Sequence, residues 1–127
     1  MGPDATLVFG VGDGVVAIDG AVRVLDAGPQ NAPPYLAYRL VPQARLPLDL
    51  RAHAATAPVV HHFGPASTVA LATDGLAGSP EVLRALSEDA AVWKNTFMLG
   101  RRLNVLAAQP GGPLTDDATV ALLRKGG

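Results

Sequence analysis

The run Thr68-Val-Ala-Leu-Ala-Thr73 is apolar at every inner position and stops on Asp74-Gly75. A strand without polar alternation is covered on both faces, so this segment belongs in the middle of a sheet. It therefore commits the chain to a layered fold, in which other elements supply the covering faces.

Those elements can be read in turn. Leu7 to Ile18 reads as a strand or bent strand pair, interrupted at Gly10, Gly12, Asp13 and Gly14. Asp19-Gly20 separates it from Ala21-Val-Arg-Val-Leu25. Asp-Gly between two such runs is a hairpin signal, because a type I′ turn needs positive φ at both central residues. Asp26 to Pro34 reads as a Gly/Pro loop, and Tyr35 to Val41 and Ala57 to Phe63 as further strands. Prolines between Pro42 and Pro58 argue against regular pairing there. Ser79-Pro80 predicts an N-cap followed by proline in the first helical turn, ahead of an apolar face at Val82, Leu83 and Leu86. Thr96 to Ala108 carries the stripe Leu99, Leu103, Leu106 and Ala107, which is helical spacing. Asp116-Asp117 then precedes a closing strand, Ala118 to Leu123. Strands, then helices, then a strand predict an α+β class with helices on a sheet. Residues 1–127 suit a single domain or part-domain.

Composition limits the partners. The net charge is -1 and no Lys/Arg run occurs, so the basic field that nucleic acid requires is missing. No apolar run reaches the roughly 18 residues of a membrane span. With no cysteine and no visible signal peptide, a reducing, cytoplasmic setting is expected. Hydrophobic residues make up 49% of the chain. That supply exceeds what a small surface readily hides, and it points to a homodimer or a complementing chain.

Several constellations fail as sites. Gly10-Val-Gly-Asp-Gly14 lacks the third glycine spacing of a dinucleotide loop and the Lys-Ser/Thr of a phosphate loop. His61 and His62 are adjacent on a strand and point to opposite faces, and His53 stands alone, so a zinc site lacks ligands. Ser67, Ser79 and Ser87 lack the strand-to-helix elbow of a serine nucleophile. Asp74 and Asp116 remain. One carboxylate closes an apolar strand and the other opens one. If the strands are neighbours, their acidic ends meet. Carboxylate oxygens at such an edge suit Mg²⁺ or Mn²⁺, although Asp-Gly and Asp-Asp also serve as ordinary turns. Asp117 faces away from Asp116 in an extended strand and is the lesser candidate.

V-A-L-A-T-D-G-L resembles the S/T-D-G-L strand of the metal-dependent PPM (type 2C) protein phosphatases. L-T-D-D-A-T-V-A-L-L-R is similar to their closing D-N/D-x-T-V strand, and F-G-V-G-D-G-V-V-A-I-D-G to their central G-D-S/G hairpin. Asn31 to Leu36 and Phe97 to Leu103 are similar to the bacterial subgroup. The resemblance implies a β-sandwich with flanking helices, of which these residues are the C-terminal portion. It implies a binuclear Mn²⁺ or Mg²⁺ centre with Asp74 and Asp116 as ligands, supported by Gly75 and Asp117. The implied substrate is a phosphoserine or phosphothreonine protein, attacked by a metal-activated water. The early D-G-x-G-G segment, which supplies the bridging aspartate, does not occur in these residues. Incomplete or absent catalysis by this chain alone is therefore expected. The competing expectation is a non-catalytic interaction module on a degenerate phosphatase fold.

Overall fold

The computed structural model describes residues 4–26, 28, 36–54, 57–114 and 116–126. It is a mixed α+β structure with two antiparallel sheets. No helix is long and apolar enough to cross a membrane among the described residues. The chain divides into two compact units. Unit 1 takes the described residues of segments 1–13 and 25–65, and unit 2 those of 14–24 and 66–127.

Unit 2 is built on a four-stranded sheet of β2 (Gly14–Ile18), β3 (Ala21–Leu25), β5 (Thr68–Ala72) and β6 (Val120–Arg124). Their order across the sheet is β3-β2-β5-β6. The continuous apolar strand β5 takes the interior place in the sheet order, antiparallel to β2 on one side and β6 on the other, but it is not covered along its whole length, since Leu71 is exposed. The Asp19-Gly20 hairpin also forms as expected, with φ of 47° and 81° at its two central residues. Asp19 has a second role. Its Oδ1 accepts from the backbone N–H of Ser67 at 2.9 Å and of Thr68 at 2.8 Å, tying the turn to the start of β5.

Helix α2 (Glu81–Glu88) packs across β2 and β5. Its Leu83 joins Val15, Ala17, Ala70 and Leu76 in the core cluster, so Val82, Leu83 and Leu86 form the predicted inner face. The helix begins one residue later than the Ser79 cap implied. Pro80 occupies the cap, and the Ser79 carbonyl, not its hydroxyl, receives the Val82 N–H. Two further helices follow, α3 (Ala90–Lys94) and α4 (Phe97–Ala107). The Asp89 side chain caps α3 through the Ala91 N–H and is bridged by Arg102 of α4 at 3.0 Å. Trp93 donates to the Ser87 carbonyl and lies beneath Arg124.

Unit 1 holds the two-stranded pair β1 (Thr6–Gly10) and β4 (Val59–Gly64). Its register shifts between Val8 and Phe9, which leaves His61 as the bulged residue. Helix α1 (Leu48–Ala54) also belongs here. The prolines that argue against pairing in this stretch conceal it: the Pro47 carbonyl receives the Leu50 N–H and opens the helix. The strand expected over Tyr35 to Val41 is corrected. Leu36–Leu40 is a 3₁₀ turn, with Val41 N–H donating to the Tyr38 carbonyl. Such a local bond needs no partner strand, and β1 and β4 already pair with each other. Tyr35 and most of the Asn31–Leu36 motif lie outside the described residues, as does the His53 side chain.

Candidate metal-binding edge

The acidic ends of the two strands are neighbours. Because β5 and β6 run antiparallel, with Ala72 opposite Val120, the end of one strand lies beside the start of the other. The junction beyond that pair is hydrogen-bonded. Thr73 N–H donates to the Thr119 carbonyl at 3.1 Å, and Thr119 N–H donates to Thr73 Oγ1 at 3.0 Å. The Thr73 hydroxyl in turn donates to the Asp117 carbonyl at 3.5 Å. Thr73 therefore extends the ladder past the last sheet pair and holds the Asp116–Asp117 segment in place.

Gly75 makes that closeness possible. A Cβ at this position would lie 2.5 Å from the Asp117 carbonyl oxygen and 3.0 Å from that of Asp116. No larger residue fits against that backbone unmoved, which gives the glycine of T-D-G a steric reason. Asp74 opens a 3₁₀ turn, Asp74–Leu76, in which Leu76 is fully buried and anchors the loop.

The two candidate ligands are both exposed. Asp116 Oδ1 accepts from the Asp117 N–H at 2.7 Å, which orients that carboxylate and leaves Oδ2 outside this bond. Asp117 contributes its backbone carbonyl to the junction. In donor chemistry and accessibility the pair suits a hard divalent cation. In number it falls short. Among the described residues, no group of three or more His, Cys, Asp or Glu side chains is placed to hold a metal.

Other polar residues have contacts within their own units. His61 lies against Gly10, whereas His62 Nε2 lies 3.3 Å from the Gly64 carbonyl oxygen. Ser87 donates to the Arg84 carbonyl within its own helix. Arg102 is occupied by Asp89, and Arg101 lines an open groove on α4 with Phe97, Asn104 and Val105. Thr73 is the residue that sequence reasoning passed over. Its position between the apolar strand and Asp74-Gly75 was the available signal.

No protein-family model, curated protein or solved structure matches this chain.

Proposed function

We propose that the chain carries the C-terminal part of a PPM-type protein serine/threonine phosphatase domain, with Asp74 and Asp116 as ligands for Mn²⁺ or Mg²⁺. The observation that supports this reading is the zipped junction of Thr73–Gly75 with Asp116–Thr119. It brings the backbone that carries Asp74 beside the backbone that carries Asp116. A bound cation there would supply an acidified water and offset the charge that develops on a phosphoryl group. The chain's own contribution would be two exposed carboxylates on neighbouring backbone, with Gly75 allowing the Asp116–Asp117 backbone to lie against it. A bridging carboxylate is not among these donors, so the edge is an open, weak site and phosphomonoester hydrolysis needs further ligands.

The test is Mn²⁺ binding by electron paramagnetic resonance, run beside Mn²⁺-dependent hydrolysis of p-nitrophenyl phosphate. Weak binding that disappears in both Asp74→Asn and Asp116→Asn is the expected result, with little or no turnover. Equal Mn²⁺ binding by wild type and both variants would sink the assignment.

A second reading is supported by a different observation. Among the described residues, unit 1 leaves most of its large apolar side chains in solvent, as an interaction module would. On that reading the acidic edge is two turns, and association is indifferent to metal and to both aspartates.

A further inference from the structure

The β1–β4 ribbon has two unlike faces. Thr6 and Val8 point to a covered side. On the other side stand Leu7, Phe9, Val60 and Phe63, exposed by 50%, 61%, 59% and 76%. Leu7 is registered opposite Phe63, and Phe9 opposite Val60, so the four share one face. No charged residue lies among these two cross-strand pairs.

We infer that this face binds a second copy of the same chain, ribbon against ribbon across a two-fold axis. The register carries the argument. The two phenylalanines occupy one diagonal of the four-residue patch, and the two aliphatic residues occupy the other. Turning a second ribbon over onto the first about either in-plane two-fold sets each phenylalanine against a leucine or valine. Large side chains then meet small ones in every row, which is the arrangement that interdigitates without voids. An isologous contact requires such a self-complementary patch. A partner of different chemistry is ordinarily selected by charged groups, and this patch carries none.

Area and stability agree. With about 200 Å² for a free aromatic side chain and less for an aliphatic one, the four exposures leave roughly 450 Å² of apolar surface. That is as large as the biggest patch of an ordinary monomer, about 300–600 Å². Two copies would cover roughly 900 Å² from these four residues each, which places the contact at the small end of specific interfaces, that of weak, concentration-dependent association. A lone two-stranded ribbon is marginal in water, whereas two packed face to face form a small sandwich. The inference does not depend on the metal reading, because no residue of the acidic edge takes part.

Sedimentation equilibrium of the 127-residue chain tests it. The expected mass is twice the 13.0 kDa of one chain. Phe9→Lys and Phe63→Lys are expected to raise the dimer dissociation constant by about a hundredfold or more, because each removes two buried aromatics per dimer. Asp74→Asn and Phe97→Lys, the latter on α4, are expected to leave it unchanged. Since the chain has no cysteine, cross-linking gives a second readout in which every ribbon variant keeps an apolar face. Phe63→Cys mixed with Leu7→Cys, or with Val60→Cys, is expected to form a disulfide-linked pair on mild oxidation, and Phe63→Cys mixed with Val105→Cys is not. A monomer at all concentrations, open-ended assembly, or cross-linking no better at the ribbon than at α4 would overturn the inference.

Discussion

In the sheet of unit 2, Val15, Ala17 and Ala70 are covered by Leu76 and Leu83. In the ribbon of unit 1, Phe9 and Phe63 stand in solvent. Both regions were built from strands of equal apolar character, and what separates them is a helix. Val82, Leu83 and Leu86 recur at helical spacing just after β5, so unit 2 carries its own covering layer within the sequence. Unit 1 has α1 and the 3₁₀ turns Leu36–Leu40 and Gln43–Arg45, but among its described residues only Thr6, Val8 and Leu46 are buried. A strand pair becomes a core only when something amphipathic is delivered to it. Unit 2 should thus behave as the stability-determining part of the chain, and unit 1 as the part whose surface is available.

Substitutions can break that contrast. The largest effect is expected for Leu83→Ala, which empties a wholly buried site and should cost about 2–5 kcal/mol in urea denaturation. Phe63→Ala in unit 1 should stay within about 0.5 kcal/mol at concentrations where the chain is monomeric. Comparable losses from the two would erase the distinction. Gly75→Ala should follow, at about 1–3 kcal/mol, since its methyl group meets backbone and not a yielding side chain. The same substitution should weaken Mn²⁺ binding by displacing Asp116, so stability and metal affinity would fall together. Asp19→Ala comes next, at about 1–2 kcal/mol, from the loss of its bonds to Ser67 and Thr68 and of a residue tolerant of positive φ.

The smallest expected effect is a pH dependence. The Ala91 N–H, and after it Arg102, hold the Asp89 carboxyl below its ordinary value. A carboxylate whose folded value is depressed contributes stability that is present above its unfolded value of about 3.9. That contribution is lost as pH falls through the lower, folded one. Asp89→Asn should therefore flatten the acid limb of the melting temperature against pH, leaving neutral behaviour nearly as before. An unchanged acid limb would show that the cap does not matter to unit 2.

The sequence made some of this legible because the signals were local. Asp19-Gly20 dictates its own turn, and the unbroken apolar run of β5 needs no partner to be recognised as interior. The acidic junction was half legible. The carboxylates at the strand ends could be seen, but their meeting depends on β5 and β6 pairing across more than forty intervening residues. Helix α1 was hidden because Pro47 signals a break and a helix start alike. The segment after Tyr35 alternates well enough for a strand, yet nothing in its sequence says that β1 and β4 pair with each other instead. The exposure of the ribbon was legible only as an excess of apolar residues, with no indication of where the excess would lie.

The order of pairing has a kinetic consequence. β1 leads into β2 through Val11 to Asp13, and β4 leads into β5 through Pro65 to Ser67, while β1 pairs with β4 and β2 with β5. Both non-local contacts thus close nearly the same stretch of chain. The entropy of loop closure grows only with the logarithm of length and falls almost entirely on whichever pair forms first. The second pair then has only a short connection left to close on each side. A chain with two such long-range pairings has, in effect, one long search to make instead of two.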